Sequence, residues 1–367
     1  MSDADRAALV RRWFSGHPSG PFIIQLNPTM ACNLNCLFCR RQDDWRAYYR
    51  TQKELPDRKY LEIVSDAISL GVRAVNIKGG GEPLLRRRLF RQLIPLIKSG
   101  GLSGSLITNA TLIDEKLAEA FVQSRWDEIS VSLDGADAQT HDYIRDKAGT
   151  FALVMAAIGH IQSCKRLLKS PLPHLKFHLV LTNRNFRCLM QLAHLAAEQG
   201  VGEVEIDSLY EGTPAAKPLA LSGSDLAGFQ EVLPAASALA DRLGLRHNFN
   251  DFLRQGCARR SPQALPAAAE TTCSREKTAL SRLPCYFPWF HVTITPDGRM
   301  APCCYGEGHK PEFDLQQLGF KSAWLDAGMR QYREAMLTGA MLPFCRDCTA
   351  SYRDHNNRIR GHFSGED

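Results

Sequence analysis

Short apolar runs alternate with amphipathic stretches over the first two-thirds of the chain. The apolar runs are rich in β-branched residues and predict six strands, at residues 22–26, 72–77, 105–108, 128–133, 175–182 and 203–207. Apolar residues at helical spacing predict five helices, at residues 59–70, 84–98, 115–124, 151–168 and 188–199. This alternation indicates an α/β fold with a parallel sheet and right-handed crossovers. A partial barrel and an open doubly wound sheet both fit the pattern.

The alternation stops after the sixth strand. A helix is predicted at residues 224–243 and a loose connector at 255–282. The run CYFPWFHVTITPDGRMAPCC then predicts a β-hairpin with Asp297 and Gly298 in its turn. A helical stretch at 321–337 and the run PFCRDC follow. We interpret this last part as a small cysteine-bearing module that does not continue the barrel.

Chemically suggestive turns follow five of the predicted strands. The first strand leads into TMACNLNCLFC, the second into KGGGEP, the third into TNAT, the fourth into SLDGAD and the fifth into TNRNF. In parallel α/β folds, catalytic and binding groups gather at the carboxyl ends of the strands. We therefore expect the functional site at this edge of the sheet.

Composition narrows the class of protein. The 367 residues are enough for more than one domain, and 44% hydrophobic residues are usual for a globular chain. No apolar run approaches a membrane span and the N-terminus does not resemble a signal peptide, so we expect a cytoplasmic protein without membrane contact. The net charge of +6 comes from scattered residues, and the compact basic run at residues 86–88 fits a helix face. No nucleic-acid partner is expected.

Twelve cysteines are many for a cytoplasmic chain, where clustered thiols usually bind metal or carry redox chemistry. Cys32, Cys36 and Cys39 form a tight triplet, whereas Cys164 and Cys188 fit buried thiols. A zinc site normally closes with four ligands, and no fourth ligand lies near the triplet. A 4Fe-4S cluster takes one thiolate per iron, so three cysteines leave one iron open. The spacing favours a cluster over zinc.

The CxxxCxxC triplet after the first strand and the GGEP turn after the second resemble the radical S-adenosylmethionine (SAM) superfamily. The resemblance covers residues 21–210, and Phe38 stands where the family usually has an aromatic residue. It implies a partial (β/α)6 TIM-type barrel in which the open iron of a 4Fe-4S cluster on Cys32, Cys36 and Cys39 chelates SAM. It also implies reductive cleavage of SAM to methionine and a 5′-deoxyadenosyl radical that removes a substrate hydrogen.

The same resemblance implies a set of SAM-binding residues. They are Gly80, Gly81 and Glu82 at the amino group, Thr108, Asn109, Ser132 and Asp134 near the ribose and methionine portions, and Arg145 at the carboxylate. Glycines allow close backbone approach, and Arg suits bidentate carboxylate binding. The alternatives are an ordinary glycine-rich turn and a surface Arg on a short helix.

A second set of four cysteines, Cys285, Cys303, Cys345 and Cys348, resembles the twitch module, a shortened SPASM domain. The resemblance implies one auxiliary 4Fe-4S cluster, and the run DGRMAPC favours Cys303 over Cys304 as a ligand. A structural zinc knuckle is the alternative. A fully ligated cluster would relay an electron or tune the site. Cys257 and Cys273 are either inert connector thiols or hydrogen donors to a substrate radical.

The predicted organisation has four parts: an N-terminal extension at 1–20, a radical SAM core at 21–215, a helical connector at 216–284 and an auxiliary-cluster module with a hairpin and helix at 285–367. The function expected is a radical SAM oxidoreductase or epimerase. Its substrate is a small polar molecule of the aminocyclitol or carbohydrate kind, and acids and Tyr210 of EIDSLYEG would face it. A reducing partner such as flavodoxin or ferredoxin is also expected.

Two alternatives remain. A ribosomal-peptide maturase would oxidise, crosslink or epimerise a peptide. Many such enzymes carry an N-terminal recognition domain, for which the roughly twenty residues before the first strand are too few, although a separate protein can replace it. A non-catalytic zinc protein would not need GGEP or the ordered turns at five strand ends.

Overall fold

The strands of the described residues form one sheet, and helices pack on one of its faces. The computed structural model describes residues 2–39, 41, 52–254, 285–303, 313–338, 345, 348 and 350–363. The strands are β1 (Ile23–Leu26), β2 (Ala74–Ile77), β3 (Ser103–Thr108), β4 (Glu128–Ser132), β5 (His174–Leu181), β6 (Glu203–Ser208), β7 (Arg246–His247), β8 (His291–Ile294), β9 (Arg299–Ala301) and β10 (Phe313–Asp314). Their order in the sheet is β10-β9-β8-β1-β2-β3-β4-β5-β6-β7.

The helices lie between the strands and at both ends of the chain. They are α1 (Asp3–Phe14), α2 (Asp57–Ser69), α3 (Arg87–Ser99), α4 (Glu115–Gln123), α5 (Ala138–Arg145), α6 (Thr150–Leu167), α7 (Leu189–Glu198), α8 (Gly223–Arg242), α9 (Phe249–Arg254), α10 (Phe287–Phe290), α11 (Phe320–Leu325), α12 (Ala327–Leu337) and α13 (Ala350–Gly361). Short 3-10 turns accompany them at Pro83–Arg86, Phe186–Cys188 and Lys217–Leu219.

The six predicted strands and the helices between them are confirmed. Strands β1 to β7 pair in parallel with their neighbours. The predicted helix at 321–337 is divided into α11 and α12 at Asp326, whose side chain accepts from Gly328 N and caps the second helix. The sequence did not predict α1, because its first turns carry few apolar residues.

The hairpin was expected to stand apart from the barrel, and this detail is wrong. Strand β8 runs parallel to β1, with Ile23 opposite His291 and Leu26 opposite Ile294. Strands β9 and β10 continue the sheet in antiparallel pairs. Without β8, the backbone groups on one side of β1 would form an unpaired sheet edge. The hairpin of the C-terminal module therefore extends the sheet of the core.

Two hydrophobic clusters hold these parts together. The larger one lies between the sheet and its helices and includes Phe90, Phe121, Trp126 and Phe177. The smaller one, called here the terminal cluster, joins α1 to the C-terminal module. Its buried members are Ala7, Val10, Tyr286, Phe287, Trp289, Phe290, Tyr332, Met336 and Ile359. Helix α1, which belongs to the predicted N-terminal extension at 1–20, thus packs in the same cluster that Cys285 contacts.

The sheet face opposite the helices is polar. Side chains alternate along a strand, so Ile24 and Leu26 point into the main core whereas Gln25 points to the other side. This side is called here the inner face. It carries Gln25, Asn76, Ser105, Ser130, Ser132, Lys176, His178 and Glu205, from strands β1 to β6. Closed barrels fill this space with bulky branched residues, so a polar inner face indicates room for a ligand.

No helix among the described residues is long and apolar enough to cross a membrane. The connector at 255–284, with Cys257 and Cys273, lies outside the described residues, as does Cys304.

Candidate active site

The cysteine triplet lies on the loop that follows β1. The backbone N–H of Leu34 donates to Cys32 Sγ and that of Arg41 to Cys39 Sγ, each at 3.4 Å. Cys39 N donates to Cys36 O at 3.0 Å, which turns the loop between these two thiols. Burial raises the pKa of the Cys32 and Cys36 thiols. A bound metal or a nearby cation is therefore needed to hold them as thiolates.

The glycine turn after β2 packs directly against the cysteine loop. Gly81 N donates to Thr29 O at 2.9 Å and Glu82 N donates to Ala31 O at 2.8 Å. A Cβ on Gly81 would lie 1.9 Å from Ala31 O. Only glycine fits at this position, and Gly80 lies in the same turn. The sequence prediction that Gly80, Gly81 and Glu82 accompany the triplet thus has a geometric reason.

Glu82 joins the second and third strand ends. It is 2% exposed. Its Oε1 accepts from Leu84 N at 3.0 Å and from Thr108 Oγ1 at 2.7 Å, and its Oε2 accepts from Asn109 N at 2.8 Å. Burial raises the pKa of Glu82, and these three donors oppose the rise. A carboxylate oxygen accepts two hydrogen bonds, so Oε2 retains capacity for an ammonium donor.

Two polar residues that the sequence analysis did not single out complete this region. Asn109 Nδ2 donates to Asn33 Oδ1 at 2.9 Å, and Asn33 Nδ2 donates to Thr111 Oγ1 at 2.8 Å. Asn33 lies between two of the triplet cysteines. The turn after β3 is therefore hydrogen-bonded to the cysteine loop. Asn33 is visible in the sequence CNLNC, but its hydrogen-bond partner Asn109 lies 76 residues away, so the sequence alone does not reveal the pair.

Arg145 lies between the turn after β4 and the cysteine loop. Its Nη2 forms an ion pair with Asp134 Oδ2 at 2.7 Å, and its Nη1 donates to Cys36 Sγ at 3.6 Å. The guanidinium also lies 5.6 Å from the centre of the Phe38 ring. Arg145 is 7% exposed, so it is not a surface residue of a short helix. Its Nε is buried and has no hydrogen-bond partner among the described residues.

The turn after β4 is fixed from several sides. Asp134 Oδ1 accepts from Val180 N at 2.9 Å, and Asp134 N donates to His141 Nδ1 at 3.1 Å. Burial lowers the pKa of His141 to about 3, so its imidazole is neutral and can accept this bond. Ser132 lies on the inner face in register with His178. His141 and His178 are site residues that the sequence did not reveal.

The described residues of the second cysteine set also lie near one another. Desolvation by the surrounding protein raises the pKa of the partly exposed Cys285 to about 12, and the charges of Cys345 and Cys348 add to this effect. Cys348 N donates to Cys345 O at 3.3 Å. Burial raises the pKa of Tyr332, as do the charges of Cys303, Cys345 and Cys285. The four thiols therefore share one region beside the terminal cluster.

The donor sets fit iron–sulfur clusters. A 4Fe-4S cluster takes one thiolate per iron, and the first set offers the thiols of Cys32, Cys36 and Cys39 on one loop. Backbone N–H groups directed at Cys32 and Cys39, and a buried Arg145 with an unused donor, suit a thiolate cluster with an anionic ligand beside it.

Family comparison agrees with this chemistry. Residues 26–196 match the radical SAM superfamily, and residues 285–349 match SPASM, an iron–sulfur cluster-binding domain. The chain carries a radical SAM domain followed by a SPASM-type domain. Its cofactors are SAM and two 4Fe-4S clusters, as the sequence predicted.

Curated relatives differ in how much of this chain they match. An AdoMet-dependent heme synthase of Methanosarcina barkeri is 30% identical over 50% of this chain and 49% of its own length. The mycofactocin maturase MftC of Mycolicibacterium smegmatis is 29% identical over 49% of this chain and 43% of its own length. The PqqA peptide cyclase of Gluconobacter oxydans is 25% identical over 78% of this chain and 71% of its own length. The chain thus spans about half the length of the first two relatives.

Solved structures share the fold at low sequence identity. Streptococcus suis SuiB bound to precursor peptide SuiA has a TM-score of 0.63 and 17% identity, over 89% of this chain and 70% of that one. The enzyme anSMEcpe with bound AdoMet has a TM-score of 0.61 and 16% identity, over 94% of this chain and 93% of that one. The predicted partial barrel with a C-terminal iron–sulfur module is confirmed.

Proposed function

We propose that this radical SAM enzyme matures a ribosomally made peptide by removing a hydrogen atom from one of its C–H bonds. Oxidation, crosslinking or epimerisation of the peptide would follow. The observation that carries the proposal is the extent of similarity to the PqqA peptide cyclase, over 288 residues and 71% of that protein's length. A match this long includes more than the radical SAM domain. The mycofactocin maturase supports the same substrate class.

The expectation of an aminocyclitol-like or carbohydrate-like substrate has weaker support. That expectation rests on the resemblance to radical SAM enzymes with a single auxiliary cluster. The relatives whose names include a peptide or a maturation reaction favour a peptide substrate. The zinc-protein alternative is not supported, because both matched domains bind iron–sulfur cofactors. The peptide alternative therefore becomes the proposal.

The arrangement of this chain's residues suits such a substrate. When bound, SAM and the first cluster supply a hydrogen-abstracting 5′-deoxyadenosyl radical, and the auxiliary cluster supplies an electron acceptor or donor. Glu82 and Arg145 fix the turns around the SAM position. The polar inner face then offers hydrogen-bonding groups such as Gln25, Asn76 and Ser130 along several strands, which suits the many amide groups of an extended peptide.

The test is product analysis with a precursor peptide. Anaerobic holoenzyme, reductant and SAM are incubated with the peptide, and 5′-deoxyadenosine and peptide mass are measured together. Loss of two hydrogens indicates oxidation or crosslinking, and uptake of one solvent deuterium without other mass change indicates epimerisation. Turnover of a small cyclitol with unchanged peptide mass would reject the proposal.

The proposed function also needs a hydrogen donor, if the product is an epimer, and an electron donor. Cys257 or Cys273 would donate a hydrogen atom if the product is an epimer, and unchanged product in both Cys→Ala variants would exclude this role. A flavodoxin or ferredoxin would supply the electron. Reduction of the first cluster by either protein, followed spectroscopically, is the measurement.

A further inference from the structure

Three basic side chains come together where α1, β8 and α13 meet, and a fourth, just beyond the end of β2, acts electrostatically on one of them. They are Arg6, Lys78, His291 and His355, and we call them the basic cluster. His291 and His355 both lie against the Phe287 ring, with centroid distances of 6.1 Å and 5.6 Å. Arg6 and His355 both lie against Phe290, each at 5.8 Å. The basic cluster is thus built around two aromatic rings of the C-terminal module.

Sheet register places two of these residues on the inner face. His291 is paired with Ile23 and Thr293 with Gln25, so both β8 side chains share the side of Gln25. Lys78 follows Asn76 by two residues and continues that side of β2 beyond its end. The next residues along the chain form the glycine turn at Gly80 and Gly81. The basic cluster therefore extends from the SAM turn to the auxiliary module.

Buried polar atoms of this region lack partners. His291 is 7% exposed and Thr293 is fully buried, and neither His291 Nδ1 nor Thr293 Oγ1 has a hydrogen bond among the described residues. The same holds for Arg6 Nε and His355 Nε2. A buried polar group without a partner carries a desolvation cost, which a ligand offering hydrogen bonds would remove.

Charge indicates which ligand would fit. Lys78 and Arg6 are the first two charged groups that act on His291, and both are positive. Among the described residues, Asp3 is the carboxylate in direct contact with this cluster, and Asp5 acts on Arg6 from further away. Asp3 contacts Arg6 at 2.7 Å, Arg358 at 2.8 Å and His355 at 3.7 Å. Burial lowers the pKa of His291 to about 3 and that of His355 to about 4, so both imidazoles are neutral and can donate through one ring nitrogen. The cations are Arg6, Arg358 and Lys78 against Asp3 and Asp5, and an anionic ligand would balance the excess positive charge.

We propose that the basic cluster is a subsite that binds a carboxylate group of the peptide substrate. The carboxylate belongs to an acidic side chain or to the peptide C-terminus. Lys78, His291 and Arg6 would donate to it, with Thr293 as a further donor. This proposal rests on the proposed peptide function. It states that an anionic residue of the peptide binds between the SAM turn and the auxiliary module. Lys78 and His291 are positioning residues for the substrate.

The experiment measures binding to anaerobic, SAM-loaded holoenzyme. The probes are glutarate, its neutral diamide, and three otherwise identical short peptides: one with an internal Glu and an amidated end, one with Gln instead, and one with Gln and a free carboxyl end. We expect glutarate and at least one carboxylate-bearing peptide to bind about tenfold more tightly than their neutral counterparts. The two peptide arms distinguish a side-chain carboxylate from a C-terminal one.

Variants connect this preference to the basic cluster. Lys78→Met and His291→Gln are each expected to reduce the preference to less than about twofold. Lys116→Met, at an exposed position of α4, should retain it. Iron content and circular dichroism check that each variant is folded. If one of the two variants does not fold, the other still tests the subsite.

The outcomes separate the subsite from the peptide function. Equal binding of charged and neutral peptides, or a preference that survives both variants, overturns the subsite while leaving the peptide function intact. If glutarate binds more tightly than its diamide but no peptide binds, the basic cluster is an anion site and the proposed peptide function is overturned.

Discussion

Arg145 and Asp134 form a buried ion pair beside the cysteine loop. Asp134 is fully buried and Arg145 is 7% exposed. Their contact, at 2.7 Å, directs the guanidinium so that its other nitrogen reaches Cys36 Sγ. Asp134 was predicted to contact SAM. Its bonds to Val180 N and Arg145 indicate that it acts by positioning Arg145.

The first prediction concerns this pair. Asp134→Asn keeps the size of the side chain but leaves the Arg145 charge buried and uncompensated. We expect the free energy of unfolding of the cluster-free protein to fall by about 3 kcal/mol, measured by urea denaturation. Asp127→Asn is the matched control, because Asp127 pairs with Lys98 near the surface, where an ion pair contributes about 1 kcal/mol or less. Equal losses in the two variants would contradict the positioning role.

The second prediction concerns pH and the inner face. Burial alone lowers the pKa of His178, but the hydrogen bond to Asp207 at 3.1 Å and the charges of Asp207, Glu205 and Asp134 outweigh it and raise the pKa. A raised pKa stabilises the fold below the ordinary value of 6.5, and this stability is lost as pH rises through the higher folded value.

Asp207→Asn should therefore reduce stability most near pH 6 and progressively less above the folded pKa of His178. The measurement is the free energy of unfolding of both proteins between about pH 6 and 9. A difference between them that does not change with pH would show that Asp207 does not control the charge of His178.

At the scale of elements, the glycine turn after β2 packs against the cysteine loop after β1. Gly81→Ala would place a Cβ 1.9 Å from Ala31 O, a backbone atom that cannot move without shifting the cysteine loop. We expect SAM cleavage to fall by roughly a hundredfold or more, since misplacement by about 1 Å has this effect. Gly159→Ala in α6 is the control, because nothing lies within 4 Å of its added methyl group. That change should leave cleavage intact and stabilise the helix by about 0.5–1 kcal/mol. Normal cleavage by Gly81→Ala would refute the close packing.

Helix α1 and the C-terminal module form the second element-scale unit. Val10 is fully buried in the terminal cluster that also contacts Cys285. Val10→Asp introduces a buried charge there and should displace the Cys285 segment. We expect iron content to fall from about eight to about four atoms per chain, while the first cluster still cleaves SAM. Ala8→Asp, on the exposed side of the same helix, should retain both clusters. Full iron loading in Val10→Asp would show that α1 does not support the auxiliary site.

At the scale of the whole molecule, periodicity predicted the core well because each strand and helix carries its own local pattern. Strand β5 alternates buried and partly exposed residues along its length, and α3 buries one clear stripe, Leu89, Phe90, Leu93, Ile94 and Ile97. The cysteine triplet and GGEP could each be recognised because the residues of each motif are close to one another in sequence.

Contacts between distant segments could not be predicted in the same way. The pairing of β1 with β8 joins residues more than 260 positions apart, as in Ile23 and His291, and neither run carries a signal for its partner. The same applies to Asn33 with Asn109 and to Arg6 near His355. Each of these residues has an ordinary local explanation, as a turn or a helix surface. Their roles arise from the folded arrangement.

These long-range contacts support one account of the molecule. Hydrogen bonds and an ion pair connect the turns after β2, β3 and β4, the terminal cluster packs beside Cys285, and the polar inner face carries part of the basic cluster. The central claim is that the hydrogen atom removed by the SAM-derived radical comes from a peptide.

Label transfer tests this claim most directly. Anaerobic holoenzyme is incubated with SAM, reductant and either a peptide deuterated at its side-chain and α carbons or a deuterated aminocyclitol, and deuterium in 5′-deoxyadenosine is measured by mass spectrometry. We expect deuterium transfer from the peptide and none from the aminocyclitol. Transfer from the aminocyclitol alone would contradict this claim.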